Sequence, residues 1–190
     1  MAHPERGKAF LRIAAAVVPR CRRNRARPDA AARSRLMSRG YLLDTNVLSA
    51  TAPDRRAMPE PAKGRARRWI EDHAEHLWLP MVAIGEIAAG IGKREGAGAT
   101  RHAAELAEWL SRVLAFYPER IMPFGLQEAL RLRQLARAAC NSGVEIGIAD
   151  MMVASTAISA GLVVATRNEK HFAAMGVARV DPFAWEGSAA

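Results

Sequence analysis

The feature that most constrains the fold of this chain is a short apolar run, LVVAT, at residues Leu162 to Thr166. A continuous run of this kind, preceded by Gly161, is typical of a strand that is buried on both faces of a parallel sheet. Parallel neighbours need a long crossover between them, which is usually a helix. The run therefore predicts an α/β domain whose sheet is covered by helices on both faces.

Short apolar runs and helical patterns alternate along the rest of the chain, as such a domain requires. We predict strands at residues 41–44, 77–79, 121–122, 162–166 and 177–180. We predict helices at residues 67–76, 82–94, 101–116, 126–141 and 148–160. Residues 52–64 are predicted to form a loop, because three prolines and one glycine lie there. The sequence thus predicts one domain at residues 39–186.

The composition is that of a globular protein and excludes several other classes. The 190 residues fit one domain, and with 50% hydrophobic residues they are able to form a core. Cys21 and Cys140 stand in no CxxC or Cys/His spacing, which excludes a disulfide framework and a thiolate zinc site. No apolar run approaches the roughly 18 residues that span a bilayer. Together these features predict a cytoplasmic protein.

The basic charge of the chain is concentrated at its N-terminus. Of the formal net charge of +9, +8 lies in residues 1–38, which carry ten Arg or Lys against two acidic side chains. We expect this arm to be disordered, because it is rich in Arg, Ala and Pro and has little apolar periodicity. It is either a nucleic-acid-binding arm or upstream sequence included by a misplaced start codon. We favour the second interpretation, since Met37 lies just before the first strand.

Three acidic residues stand at predicted strand ends or helix starts. Asp44 ends the first strand, Glu86 lies early in the helix after the second, and Asp150 lies near the start of the helix before LVVAT. Each of them alone is compatible with the capping of a helix by its carboxylate. In a doubly wound sheet, however, these positions gather beyond the carboxyl ends of the strands. We therefore expect the three side chains to form one cluster.

A cluster of three carboxylates has a chemical consequence. Neighbouring carboxylates repel one another and stay ionised together only if a cation neutralises them. Hard oxygen ligands suit Mg²⁺ or Mn²⁺ rather than zinc. A carboxylate-bound Mg²⁺ activates water and stabilises the charge on a reacting phosphodiester. Asp150 supports this interpretation, because its sequence neighbours are apolar and an isolated carboxylate among them would be costly.

Five segments follow one another along the chain: LLDTNVLS at 42–49, VAIGEI at 82–87, IADMMVASTA at 148–157, VATRN at 164–168 and DPF at 181–183. In order and spacing, the first four resemble the motifs of the PIN-domain ribonucleases, and DPF resembles the usual ending of such domains. The resemblance covers residues 41–185, and it is strongest to the VapC toxin and FitB-like branch of type II toxin–antitoxin systems.

This resemblance implies a PIN-like parallel sheet and the activity of a metal-dependent endoribonuclease. Such a protein is the toxin of a toxin–antitoxin pair, is silenced by a small antitoxin protein and commonly forms a homodimer. Asp44, Glu86 and Asp150 would hold Mg²⁺ or Mn²⁺ and orient the water that attacks the RNA. Asn168 stands where some relatives carry a fourth acid, and it is a weaker candidate ligand. An amide oxygen binds Mg²⁺ without adding charge, which puts a second metal in doubt.

Two other functions remain open from the sequence. The first is a non-catalytic nucleic-acid-binding protein that uses the basic arm. Clustered carboxylates speak against it, because they would repel phosphate and a binder does not need them. The second is a PIN-type nuclease that acts in RNA processing without an antitoxin. A short open reading frame just upstream, encoding a DNA-binding antitoxin, would distinguish this second function from the toxin.

Histidines and tryptophans give weaker signals. His73 and His76 stand three residues apart beside Asp72, and without a third ligand in sequence they are predicted to lie on a solvated helix face. His171 follows the fourth motif and is predicted to lie on the surface, with the rim of the site as the alternative position. Large aromatic side chains at such spacings are usually buried. We therefore predict that Trp69, Trp78 and Trp109 belong to the core.

Overall fold

A computed structural model describes residues 40–54 and 60–187 of the chain. The strands are β1 (Tyr41–Leu43), β2 (Leu77–Pro80), β3 (Ile121–Met122), β4 (Val163–Ala165) and β5 (Arg179–Val180). The helices are α1 (Thr45–Ser49), α2 (Pro61–Asp72), α3 (Met81–Gly96), α4 (Thr100–Phe116), α5 (Leu126–Ser142), α6 (Ile148–Ala160) and α7 (Glu169–Ala174), with a 3₁₀ turn at Ala74–His76. The N-terminal arm predicted at 1–38, with Met37, lies outside the described residues.

The strands form one parallel sheet in the order β3-β2-β1-β4-β5. The chain runs outward from the central strand β1 to β2 and β3, and then returns to the other side of β1 to form β4 and β5. Strand order therefore reverses between β1 and β4, which pair at Leu43 and Ala165. In open α/β sheets, ligands bind beyond the carboxyl ends of the strands at such a point. Here Asp44 and Thr166 directly follow those two strand ends.

Both faces of the sheet are buried under helices, which confirms the predicted α/β architecture. Neighbouring side chains of a strand point to opposite faces, and accordingly Leu42 and Leu43 of β1 belong to two different core clusters. The cluster around Leu43 includes Trp69 and Trp109, and the cluster around Leu42 includes Phe172. Complete burial of one such leucine stabilises the fold by about 1.5–3 kcal/mol. This two-sided burial is why the strand sequences are almost entirely apolar.

Two element predictions are wrong in an informative way. The helix predicted at 67–76 is α2, which begins at Pro61 and ends at Asp72. Proline is favoured in the first turn of a helix, because its missing N–H has no partner there, so a residue taken as a loop signal is the start of a helix. The predicted loop shrinks accordingly, and residues 55–59 of it lie outside the described part. Helix α7 was not predicted at all.

The tryptophan and histidine predictions are confirmed only in part. Trp69 and Trp109 are buried, whereas Trp78 is half-buried and packs at the edge of the core. His76 is exposed as expected, but His73 is half-buried. Its ring stacks on Trp69 with centroids 4.5 Å apart, and its Nδ1 lies 2.8 Å from the Trp69 carbonyl oxygen. A stacked imidazole of this kind is a packing residue, so the prediction of a solvated face is wrong for His73.

Within residues 40–54 and 60–187, no helix is both long enough and apolar enough to cross a bilayer.

Candidate active site

Asp44 is the buried centre of the site. It directly follows β1 and precedes α1 as its N-cap residue, and only 3% of its surface is exposed. Its backbone N–H donates to the carbonyl oxygen of Ala165 at 2.9 Å, which ties it to the end of β4. Its Oδ1 accepts from the Thr45 backbone N–H at 2.7 Å. Two further donors reach Oδ2, so the carboxylate is held from several sides.

Those two donors are side chains that the sequence analysis did not single out. The Thr166 hydroxyl donates to Asp44 Oδ2 at 2.6 Å, and the Asn46 amide Nδ2 donates to the same oxygen at 2.6 Å. Asn46 Oδ1 in turn accepts from the backbone N–H of Arg167 at 3.1 Å. Thr166 is completely buried. The network therefore fixes the Asp44 carboxylate between the ends of β1 and β4.

The electrostatic environment of Asp44 opposes its ionisation. Burial raises the pKa of this carboxyl above its ordinary value, and the hydrogen bond from Thr166 only partly counteracts that effect. The negative charge of Asp150, and to a smaller degree that of Glu86, raises the pKa of Asp44 further. All three hydrogen-bond donors to Asp44 are neutral groups. The cluster thus holds more negative charge than its own hydrogen bonds compensate.

Glu86 lies on the sixth residue of α3 and is exposed. Its Oε2 accepts a short hydrogen bond from the hydroxyl of Thr45, the residue that follows Asp44. Because Thr45 also gives its backbone N–H to Asp44, one residue contacts both carboxylates. This arrangement joins Glu86 to the residue beside Asp44, and Thr45 is a partner that the sequence analysis did not identify.

Asp150 does not cap its helix. Gly147 is the N-cap of α6, and Asp150 is the third residue of that helix. Its Oδ2 lies 2.6 Å from Nδ1 of His171, with 19% of the Asp150 side chain and 34% of the His171 side chain exposed. His171 is therefore half-buried against Asp150, which agrees with the rim position rather than with the favoured prediction of an open surface. Helix α7, which sequence periodicity did not show, turns this imidazole toward Asp150.

Asn168 lies directly before α7, two residues after Thr166. Its backbone N–H donates to the Thr166 hydroxyl oxygen at 2.9 Å, and its exposed side chain does not cap α7. Arg167 beside it brings a positive charge to the rim of the site. Its guanidinium lies over the Phe183 ring, 5.2 Å from the centroid, and 3.6 Å from Glu60.

The donor set suits a hard cation, although the side chains are not arranged around one. Across the described residues, no group of three His, Cys, Asp or Glu side chains is close enough as it stands to hold a metal ion. Glu86 is bonded to Thr45 and Asp150 to His171. Carboxylate, hydroxyl and amide oxygens are nevertheless the ligands that Mg²⁺ and Mn²⁺ prefer. A cation would also offset the charge that raises the pKa of Asp44, so the chemistry of these residues fits such an ion.

Comparison with known proteins places the whole described domain in one family. The family model of the PIN domain matches residues 41–177. The chain is 32% identical over 154 residues to the VapC ribonuclease Y4jK of Sinorhizobium fredii, covering 76% of this chain and 97% of that protein. It is 32% identical over 149 residues to the toxin FitB of Neisseria gonorrhoeae, covering 75% of this chain and 97% of that protein.

A solved structure shows the same relationship in three dimensions. The crystal structure of FitAcB from Neisseria gonorrhoeae matches with a TM-score of 0.63 at 30% sequence identity. The match covers 76% of this chain and 99% of that one. The chain belongs to the PIN domain family, in the branch that contains VapC and FitB.

Proposed function

We propose that this protein is an endoribonuclease that depends on Mg²⁺ or Mn²⁺, and that it is the toxin of a type II toxin–antitoxin pair. The observation that carries the proposal is the buried Asp44 carboxylate, whose pKa is raised by its burial and by the charges of Asp150 and Glu86. A buried carboxylate that feels the charges of two others is suited to a divalent cation. A pure nucleic-acid binder gains nothing from such a cluster.

Asp44, Glu86 and Asp150 are the residues that would hold the ion. When bound, it would lower the pKa of a water molecule and stabilise negative charge on the phosphodiester. Other residues of the chain position the carboxylates. Asn46 and Thr166 donate hydrogen bonds to Asp44, and Thr45 donates one to Glu86. The carboxylates also orient the water that attacks the phosphorus. Position of this kind contributes to catalysis because the reacting groups need no further ordering.

The names of the relatives support both halves of the proposal, since one is a ribonuclease and another is a toxin. The surface supports a protein partner. Met81, Leu126 and Ile148 are exposed apolar side chains, and each is the first residue of its helix. Exposed apolar side chains are available for contact with a protein partner. We assign the antitoxin as that partner, and we also expect the homodimer that is common in the family.

The test of this function uses end-labelled RNA and DNA strands of the same sequence, incubated with the purified protein and Mg²⁺. We expect cleavage inside the RNA and an intact DNA strand. Addition of an equimolar amount of the protein encoded by a short reading frame directly upstream should stop the cleavage. Equal cleavage of DNA would contradict the ribonuclease assignment. Undiminished cleavage in the presence of that protein would favour an RNA-processing nuclease instead.

Asn168 leads to a prediction about the number of ions. Asp44, Glu86 and Asp150 supply three charges, enough for one cation, whereas a second cation about 3.5–4 Å away would be repelled by the first. Asn168 brings an oxygen without charge, so we expect one well-occupied ion and a second that binds weakly. Asn168→Asp should tighten Mn²⁺ binding, and Asn168→Ala should lower cleavage less than Asp44→Asn does. Two tight sites by calorimetric titration of the unaltered, RNA-free protein would contradict this charge argument.

A further inference from the structure

The contact between His171 and Asp150 joins two residues that lie 21 positions apart, on α7 and α6. An ionised carboxylate only accepts hydrogen bonds, so the imidazole must donate from Nδ1. A distance of 2.6 Å is at the short end for a hydrogen bond to a charged oxygen. The donor and the acceptor both retain partial exposure, and the charge of Asp150 acts on Asp44.

The backbone around His171 is anchored against the helix that carries Asp150. The next residue, Phe172, is completely buried and belongs to the same core cluster as Val153 and Ala157 of α6. The Phe172 carbonyl oxygen accepts from the backbone N–H of Val177 at 3.0 Å. The backbone N–H of His171 donates to the Asn168 carbonyl oxygen at 3.1 Å. These contacts fix where the imidazole stands, which a surface histidine would not need.

The same short segment also holds the central acid of the site. Thr166 at the end of β4 donates to Asp44, and His171 five residues later donates to Asp150. The backbone N–H of Asn168 bonds the Thr166 hydroxyl oxygen between them. Residues 166–171 thus contact two of the three carboxylates.

We propose that His171 is a positioning residue for the cation that the proposed function requires. Its Nδ1–H holds Oδ2 of Asp150, which leaves Oδ1 as the oxygen that would bind the ion. Hydrogen-bond partners of ligating carboxylates fix their orientation, and their loss typically weakens metal binding or activity by about 10- to 100-fold. The alternative role is competition with the ion for Asp150. In that case His171 would weaken metal binding, and its removal would strengthen it.

Four substitutions of His171 separate the effect of its Nδ1–H donor from the effect of the size of its side chain. His171→Ala removes both, and His171→Phe keeps a ring without a donor. His171→Asn places an amide N–H close to the position of Nδ1, whereas His171→Gln places it farther out, near that of Nε2. We expect about 10- to 100-fold weaker Mn²⁺ binding for the Ala, Phe and Gln variants. The Asn variant should bind within a few-fold of the unaltered protein.

Calorimetric titration of the RNA-free protein with Mn²⁺ is the measurement, with Asp44→Asn as the reference for loss of a ligand. Thermal melting in EDTA checks that each variant is folded. Unchanged or tighter binding by His171→Ala, while Asp44→Asn abolishes binding, would overturn the positioning role and leave the proposed function standing. Weak binding by His171→Asn equal to that of His171→Ala would also overturn it. Absence of Mn²⁺ binding by the unaltered protein would overturn the metal-dependent function, and this inference with it.

Discussion

Asp44→Asn is expected to abolish RNA cleavage while leaving the fold intact. Loss of a hydrogen-bond partner of a metal ligand costs about 10- to 100-fold, so loss of the central ligand charge should cost more than about 100-fold. The amide keeps the shape of the carboxylate and one acceptor oxygen. It also removes a charge that the folded protein disfavours, since burial and the neighbouring acids raise the pKa of Asp44. Cleavage of labelled RNA under single-turnover conditions measures the effect.

The pH dependence of stability supplies a second readout for the same substitution. The pKa of Asp44 is raised in the folded protein above its ordinary value of 3.8, so the folded state binds this proton more tightly than the unfolded state does. Its stabilising contribution is full below pH 3.8 and is lost as the pH rises through the folded pKa. The ion-free protein should therefore lose this contribution toward neutral pH, whereas Asp44→Asn should not show that part of the loss.

A matched control is Asp72→Asn. It removes the same charge from an exposed carboxylate at the end of α2, outside the cluster. We expect cleavage by this variant to equal that of the unaltered protein. The Asn46 amide donates to Oδ2 of Asp44. If the new amide nitrogen of Asp44→Asn takes the place of Oδ2, it cannot accept this hydrogen bond, so we expect a local rearrangement of hydrogen bonds. Undiminished cleavage by a folded Asp44→Asn protein would remove Asp44 from the catalytic site.

Removal of divalent cations is expected to lower RNA cleavage as much as Asp44→Asn does. Treatment with EDTA should lower RNA cleavage more than about 100-fold, because three carboxylates without a cation repel the RNA phosphate. Addition of Mg²⁺ or Mn²⁺ in excess of the chelator should restore cleavage in the unaltered protein. It should not restore it in Asp150→Asn, which lacks one of the three charges. Full activity in EDTA would contradict the metal-dependent site.

The same ion should stabilise the folded protein in the absence of RNA. A ligand at 100 times its dissociation constant adds about 2.7 kcal/mol to the free energy of unfolding. For a chain of this size, each kcal/mol raises the melting temperature by about 2–4 °C. Mn²⁺ should therefore raise the melting temperature of the unaltered protein by about 5–11 °C. Asp44→Asn should show little or no shift, and an equal shift in both proteins would place the ion elsewhere.

The sheet and most helices were predictable because burial on two faces leaves a plain pattern in the sequence. The run at 162–166 and the apolar Leu42 and Leu43 mark central strands, and these strands lie side by side in the structure. Helix ends were predictable where glycine adopts a left-handed conformation. Gly143 and Gly161 follow α5 and α6 with φ of 68° and 67°, as the sequence signals at those positions indicated.

The contacts inside the site were not predictable from the sequence. Helix α7 has six residues, fewer than two turns, so it is too short to show an amphipathic period. Without it, nothing in the sequence indicates that His171 faces Asp150. Thr166 looks like the last residue of an apolar strand, and its hydrogen bond to Asp44 depends on the pairing of β1 with β4. The acidic residues were identified from their places at predicted strand ends and helix starts. Their hydrogen-bond partners depend on tertiary structure.

The most direct test of the central claim is a crystal of the RNA-free protein soaked in Mn²⁺, with the ion located by its anomalous scattering. The claim is that Asp44, Glu86 and Asp150 form one cation-binding centre. We predict one strong peak in contact with an Asp44 oxygen. Glu86 should have turned away from Thr45 to reach the ion, and Asp150 should contact the ion while it keeps its hydrogen bond to His171. A fully occupied ion bound away from Asp44, or no peak at this edge of the sheet in protein that cleaves RNA, would contradict it.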